Sequence, residues 1–435
     1  MGDRLYKLVT DDGEGADLSK GISREAAEVV PENFGRQVLA TVASKTGDQF
    51  TKPGLILTWL LSALGAPAIS IGLLVPVREA GSLLPQVLMA NLVGRYAIHK
   101  FFWVIGSILQ GLAVIGIGLA ALSLKGNSLG WTVVGLLVLF SLSRAICSIT
   151  SKDLLGKTIP KARRGRLNGL ASSISGWVAV AVGLFFAFNP AKELPLPVFT
   201  GMIFAAGILW FAAASLMSRV FEFPGSTSNG KNPLREMLES LHFLKDDPTF
   251  LRFCIARALL ASTVLSMPFY VVLAHQASGG RMSSFGLLMI SGSLATALSG
   301  VVWGKLSDHS SRTTLAVAGL SAGLIGLLTA GASALEISET LATFIYGGLF
   351  FMIGLSHTGI RNGRKTYLVD HADQDNRAKL VAVSNTLMGL VLLLSGSFGL
   401  LAQTLGERAV IIVFALLGIA GSLVAFTLPE AGKGQ

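Results

Sequence analysis

The sequence predicts an all-α membrane protein with twelve transmembrane helices, arranged as two pseudo-symmetric halves of six helices each. Roughly a dozen apolar stretches of about 20 residues, the length that spans a bilayer, fill the chain from Leu55 to Leu428. Hydrophobic residues make up 51% of the chain and charged residues only 14%, a composition that would not keep a water-soluble domain in solution. An internal repeat divides these stretches into six and six.

The predicted spans are bounded by Gly, Pro or charged residues. In chain order they are Leu55–Val77, Leu83–Ile98, Phe101–Leu124, Leu129–Thr150, Leu167–Phe188, Val198–Met217, Leu251–Ala274, Ser283–Trp303, Thr314–Ala334, Leu341–Ile360, Leu380–Leu401 and Ala409–Leu428. Because the number of spans is even, both chain ends are expected on the same side of the membrane.

Basic residues are concentrated in alternate connections between the spans. One set of connections holds 20 Lys and Arg residues and the other set holds five. The positive-inside rule therefore predicts that both termini are cytoplasmic, in a plasma membrane such as the bacterial inner membrane. The same distribution accounts for the formal charge of +10 without a nucleic-acid partner. Cys147 and Cys254 both lie in apolar stretches, which gives no support for a disulfide framework or a metal site.

The predicted domain organisation follows the spans. Residues 1–52 are expected to form a cytoplasmic segment, partly disordered, with a short amphipathic helix at Glu32–Ser44. The two halves are residues 53–218 and 251–428, joined by a cytoplasmic connection, 219–250, and followed by a short tail, 429–435. After the fourth span, SKDLLGKTIPKARRGRLNGLASSISG aligns at a constant offset of 213 residues with RKTYLVDHADQDNRAKLVAVSNTLMG after the tenth.

The connection after the eighth span, GKLSDHSSR, carries the most specific motif. Its glycine permits a tight turn, and its carboxylate can pair with a base or with a helix N-terminus. Through Gly304, Asp308 and Arg312 it resembles the Gly-x-x-x-Asp-x-x-x-Arg signature of the major facilitator superfamily (MFS), as do the twelve spans and the six-plus-six repeat. The resemblance implies a latch that closes the cytoplasmic side, the alternative being solvated loop charges. The equivalent connection in the first half, GRYAIHK, has Ile98 in place of the acid.

Further gating candidates lie in the two connections that the repeat relates. Asp153, Asp370 and Arg377 could form ion pairs between helices that break when the two halves move. An equally good interpretation is that these charges only fix the orientation of the chain in the membrane.

The charged candidates for substrate binding or ion coupling are Arg78, Glu79 and Arg144. Arg144 resembles the basic residue that many MFS members carry in the fourth span, and a charge at this depth costs several kcal/mol unless it is paired, hydrated or snorkelling to headgroups. Arg257, in the seventh span, is expected to snorkel. Arg78 and Glu79 are predicted in an outer turn, PVREAGSLLPQ, between the first two spans. Because no other acid lies near the middle of a span, Glu79 is the leading proton carrier, unless it forms a surface ion pair.

Uncharged polar residues within the spans are also substrate candidates, namely Gln86, Tyr270 and Asn385. Facing a central cavity, they would bind a solute, whereas facing another helix they would only hold the bundle together. His357 ranks behind Glu79 as a proton carrier, because a single histidine near a span end is more often interfacial.

The function predicted from these features is secondary active transport of a small solute by rocker-switch alternating access, with a proton as one candidate coupling ion. Phosphate-binding loops, metal clusters and nucleophile constellations are missing from the sequence, so an enzyme and a bound cofactor are not expected. The expected partners are the solute and membrane lipid, and a monomer is expected. Two alternatives share this fold, a sensor or partner-binding protein without transport, and a lipid-handling membrane protein.

Overall fold

The computed structural model describes residues 22–189, 195–225, 227, 239–372 and 376–430, and its regular structure in these ranges is entirely helical. Ten helices in the described part are long and apolar enough to cross a membrane. Two more, at the start of the chain, are divided into shorter segments and bring the bundle to twelve, as the sequence predicted.

The first half contains α1 to α6. Their bounds are Val30–Phe50 with a π-helical turn Pro53–Leu57 and Thr58–Ala63 (α1), Ala68–Leu83 with Gln86–Gly94 (α2), Lys100–Ser123 (α3), Gly126–Thr158 (α4), Lys161–Ala187 (α5) and Leu196–Ser218 (α6). A short helix, Arg24–Glu28, precedes α1 and is capped by the Ser23 hydroxyl, which accepts from the Ala26 N–H at 3.2 Å.

The second half contains α7 to α12. Their bounds are Pro248–Leu260 with Ser262–Ala277 (α7), Met282–His309 (α8), Ser311–Ala332 (α9), Glu339–His371 (α10), Arg377–Ser395 with Phe398–Leu405 (α11) and Glu407–Phe426 (α12). Short helical turns at Ser240–His242 and Phe243–Asp246 precede α7. From α3 onward, every predicted span falls on one of these helices.

The first two predicted spans are wrong in position. The turn between α1 and α2 covers residues 64–67, in the middle of the predicted span Leu55–Val77, and Gly65 adopts a φ of 72° there. Val30–Phe50, of which a part was expected as a helix on the membrane surface, packs instead against α5 and α6. Hydropathy missed this segment because Lys45 and Asp48 make it polar, whereas these side chains face the bundle interior rather than lipid.

The two halves repeat the same architecture. α4 and α10 have 33 residues each and begin 213 positions apart. Arg164 donates to the carbonyls of Ile159 and Gly156 at 2.9 and 2.8 Å, at the end of α4. Arg377 donates to the equivalent carbonyls at the end of α10, those of Ala372 and Val369, at 3.4 and 3.1 Å. The matching hydrogen bonds confirm the alignment of the two halves.

Close packing between the halves occurs at the end of the bundle away from Val30 and Phe426, here called the outer end. α2 approaches α11 so closely that a Cβ added at Gly72 would lie 2.6 Å from the Gly399 Cα. α5 and α8 meet at Gly183 and Gly286, and a Cβ at Gly286 would collide with the backbone of Ala187. Small residues are what allow such close helix contact. The end of the bundle that carries the termini and the basic connections is called the basic end below.

Candidate functional site

Three helices of the first half meet at a buried charge cluster. The Asp48 carboxylate on α1 accepts from Arg78 Nη2 of α2 at 2.8 Å and from Arg144 Nη1 of α4 at 2.6 Å. The Arg78 guanidinium also lies over the Phe140 ring, 4.7 Å from its centroid. One carboxylate thus serves two guanidiniums.

Arg78 and Glu79 do not lie in an outer turn, as the sequence predicted, but within Ala68–Leu83 of α2. The error follows from the misplaced first span, because the turn lies before Ala68 rather than after Val77. Glu79 is half-buried, and its charge acts on Arg78 and Arg144 in its own half and on Arg364 of α10. The structure therefore brings Arg78, Glu79 and Arg144 together at the boundary between the halves.

A second group of charges comes from the facing half. His357, Arg361 and Arg364 recur at helical spacing along α10, so they share one face of that helix. Lys52 of α1 lies close enough to Arg361 for their charges to repel each other. The Lys52 ammonium lies 3.8 Å from the place that a Cβ at Gly292 of α8 would occupy. Lys52 thus crosses from the first half to the second.

A polar cavity of about 390 Å³ opens beside the Asp48 cluster. It extends toward the basic end, and its lining comes from α1, α3, α4, α5 and α6. The polar lining residues are Gln37, Thr41, Ser44, Lys45, Asp48, Gln110, Arg144, Ser148, Ser151, Lys152 and Asn168. Lys45 bridges to α5 by donating to Ser172 Oγ at 2.6 Å. A volume of this size accommodates a small metabolite.

Two of the uncharged substrate candidates lie inside the second half, away from this cavity. Tyr270 is 1% exposed and packs among α7, α9 and α12, where the enclosed space is only about 10 Å³. The Asn385 side chain accepts from Arg257 at 2.9 Å, and Arg257 also donates to Ser384. Arg257 is therefore buried by α11 rather than snorkelling to headgroups, which corrects the sequence-based expectation. Gln86 begins the second segment of α2 and is half-buried.

The proposed latch residues are distributed over the basic end of the second half. Gly304 and Asp308 lie on α8, where a Cβ at Gly304 would meet no neighbour and the side chain of Asp308 lies outside the described residues. Arg312 forms an ion pair with Glu430 at 2.9 Å and donates to the Leu428 carbonyl. It therefore joins the start of α9 to the segment after α12. Asp370 is exposed, and Arg377 is engaged by carbonyls at the end of α10.

Asp153 belongs to a compact charged cluster at the basic end of the first half. Its carboxylate contacts His99 at 2.5 Å and Lys157 at 2.8 Å, and Lys157 also contacts Glu222 at 3.2 Å. The fully buried Glu222 carboxylate accepts the N–H groups of His99 and Lys100, which fixes the start of α3. The ligand atoms of His99, Asp153 and Glu222 lie within 4.8 Å of one another, a spacing that suits a cation. The Lys157 ammonium already supplies that positive charge.

Sequence reasoning missed Asp48, Lys52, Arg361 and Arg364 as parts of the site. Asp48 and Lys52 belong to the polar segment that was placed before the first span, and the two arginines were counted as connection charges. One signal could have found them. In both α1 and α10 the charged residues recur at helical spacing among apolar and small residues, which is typical of a helix with one polar face.

Comparison with known proteins gives a family match. A family model described as Major Facilitator Superfamily matches residues 38–396 and also 275–435. None of the curated proteins compared matches the chain.

Solved structures share the fold at low sequence identity. A D-xylose-proton symporter is 13% identical over 92% of this chain and 98% of its own, with a TM-score of 0.69. The nucleoside transporter NupG is 11% identical over 91% of this chain and 100% of its own, with a TM-score of 0.68. The inward-open form of the xylose transporter XylE from E. coli is 13% identical over 93% and 98%, with a TM-score of 0.65. These similarities define the fold and leave the solute to be argued from the site.

Proposed function

This chain belongs to the Major Facilitator Superfamily, and from that membership we propose that it is a secondary active transporter of a small solute, working by alternating access. The observation that carries the proposal is the charge cluster of Asp48, Arg78, Glu79 and Arg144 where the two halves meet. Charges within a membrane bundle are expensive and mark substrate or ion pathways.

The packing of the halves supports a rocking motion. Glycine contacts close the bundle at the outer end, and the cavity beside Asp48 extends toward the basic end. A bundle closed at one end and accessible from the other is what alternating access requires of each of its two states, so this arrangement supports the proposal. With the basic connections in the cytoplasm, as the positive-inside rule demands, the cavity faces inward.

Glu79 is the proposed proton carrier. It is half-buried and interacts with arginines from both halves, so its protonation would weaken the attraction of Glu79 for Arg364 and loosen the contact between α2 and α10. The Asp48 carboxylate, by contrast, already accepts direct hydrogen bonds from two guanidiniums. Proton binding at Glu79 could therefore be coupled to movement of the halves.

Proteoliposomes loaded with a pH-sensitive dye test this proposal. The purified protein would be exposed in turn to sugars, nucleosides, peptides, carboxylates and phosphate esters, with uptake and lumenal pH both recorded. We expect one chemical class to enter and to acidify the lumen. Folded protein that moves none of them would support the sensor alternative, and accelerated transfer of labelled lipid between the two leaflets would support the lipid-handling alternative.

Substitution of Glu79 tests its role in coupling. We expect Glu79→Gln to reduce pH-driven uptake by at least about tenfold, because a neutral amide cannot release a proton. The matched control is Glu336→Gln, which removes an exposed carboxylate between α9 and α10. Unchanged proton-driven uptake by Glu79→Gln would remove Glu79 from the mechanism.

A further inference from the structure

We propose that the solute is a small organic anion, and that Lys52, Arg361 and Arg364 bind its carboxylate or phosphate group between the two halves. The inference deepens the proposed transport function by naming the class of solute.

Lys52 is held at a break in α1. Its carbonyl accepts from the N–H groups of Leu55, Ile56 and Leu57 at 3.2, 2.8 and 3.3 Å, which forms the π-helical turn Pro53–Leu57. Single π-helical turns are rare and occur frequently at functional sites. The break lies against α7, since a Cβ at Gly54 would be 3.4 Å from the Met267 Cβ. It therefore directs the Lys52 ammonium into the second half, toward Gly292.

α10 presents the facing cations. Arg361 and Arg364 are half-buried on the face of α10 that also carries His357, and they lie close enough for their charges to repel each other. One turn nearer the basic end, Lys365 of α10 and Lys152 of α4 also repel each other across the halves. These lysines occupy equivalent positions in the repeat, 213 residues apart. Together they extend the positive region from the site toward the cavity opening.

The acids of this region are already engaged. Asp48 binds Arg78 and Arg144 directly, and Glu79 lies close enough to Arg78, Arg144 and Arg364 for its charge to attract theirs. In the described part of the chain, Lys52 and Arg361 form no ion pair with a carboxylate. Like charges brought together in a membrane bundle without a counter-ion destabilise it. A bound anion would supply the missing negative charge.

The chemistry of the donors suits an oxyanion. Guanidinium groups bind carboxylate and phosphate oxygens through two parallel hydrogen bonds, and an ammonium supplies a further charged donor. Uncharged solutes such as sugars and nucleosides offer no charge to balance this site. An anion bound by Lys52 of the first half and by Arg361 and Arg364 of the second half would draw the two halves together during transport.

Thermal unfolding of the protein in an uncharged detergent tests the inference at constant ionic strength. The probes are inorganic phosphate, succinate and glucose 6-phosphate, with glucose, xylose and uridine as uncharged counterparts. We expect a rise in Tm of several degrees with at least one anion and none with the uncharged probes. Absence of stabilisation by all three anions, or equal stabilisation by the uncharged probes, would overturn the inference.

Charge-removing variants locate the site. We expect Lys52→Gln and Arg361→Gln to weaken binding of the stabilising anion at least about tenfold by calorimetry, since each removes a charge-assisted hydrogen bond. Lys125→Gln and Arg408→Gln remove exposed charges at the outer end and should leave the affinity unchanged. If Arg361→Gln does not fold, Arg361→Lys keeps the charge and should weaken binding less than Lys52→Gln. Equal affinity in Lys52→Gln and wild type would overturn the assignment.

Two outcomes separate this inference from the proposed function. An anion that binds at Lys52 but is never moved across proteoliposomes would leave the anion site standing and overturn transport. A neutral solute that is transported, with Lys52→Gln unaffected, would leave transport standing and overturn the anion site. A lipid headgroup is the other source of a phosphate group at this site. Thermal unfolding in nanodiscs with and without anionic lipid distinguishes the headgroup from a solute. Stabilisation by anionic lipid alone would assign the site to a headgroup and overturn the solute.

Discussion

At the scale of single residues, the sequence identified part of the site and the structure completed it. Arg144 is recognisable because a charge inside an apolar run needs a partner. Its partner, Asp48, is 96 residues away and was not recognisable, because the segment around it is too polar to resemble a membrane span. Tyr270 and Asn385 were predicted as substrate candidates but lie away from the cavity. The sequence shows that a residue is polar but not which side of its helix meets the cavity.

Removal of the shared carboxylate should destabilise the first half. In Asp48→Asn, Arg78 and Arg144 lose their common counter-ion, and we expect a loss of about 2–3 kcal/mol, below the usual range for a buried pair because the Arg144 side chain is 33% exposed. The measurement is unfolding in detergent. Asp370→Asn, at an exposed position, is the control, and adding Arg78→Gln to Asp48→Asn should restore part of the stability. A loss of less than about 0.5 kcal/mol, typical of an exposed ion pair, would contradict this account of the cluster.

At the scale of helices, hydropathy was sufficient where the neighbours of a helix are mainly lipid or apolar side chains. It located α3 to α12 within a few residues, apart from the polar basic-end turns of α4 and α10. It displaced α1 and α2, because α1 carries Lys45, Asp48 and Lys52 on its interior face. The turn at Gly65 and Pro67 was hidden because the helices on both sides of it are apolar.

The contact between α5 and α8 makes a prediction at this scale. In Gly286→Ala the new Cβ would collide with the backbone of Ala187, so the outer ends of the two halves should separate at this contact. Spin labels at Phe188→Cys and Leu335→Cys, both exposed, should report longer distances, and the buried Cys147 and Cys254 should label little. Gly300→Ala, on the same helix with no neighbour near its added Cβ, is the control. Unchanged distances in Gly286→Ala would show that this contact does not close the outer end.

At the scale of the whole molecule, the six-plus-six repeat was predictable from a gapless alignment. The structure adds equivalent hydrogen bonds at the ends of α4 and α10. Arg164 and Arg377 have little in common in their neighbouring sequence, yet each closes the end of a 33-residue helix through equivalent carbonyls. The faces that the halves turn toward each other could not be predicted, because packing between helices depends on small residues that are frequent throughout the chain.

The repeat predicts equal and independent effects at its two helix ends. We expect Arg164→Ala and Arg377→Ala each to lower stability by about 1 kcal/mol, through loss of hydrogen bonds to the terminal carbonyls. Because the two sites lie in different halves, the double variant should lose the sum to within about 0.5 kcal/mol. Thermal unfolding of the three variants measures this. Strong non-additivity would mean that the two helix ends are coupled through the bundle.

The excess of basic over acidic side chains between the halves favours an anionic solute, and the charge of the solute affects the energy of import and of export differently. A membrane potential that is negative inside opposes the entry of each net negative charge by about 2.3 kcal/mol per 100 mV. An anion importer must therefore move a compensating positive charge such as a proton with each negative charge on its solute, or exchange the solute for another anion, to avoid working against the voltage. An exporter gains the same energy, so the dependence of flux on an imposed potential distinguishes the two directions.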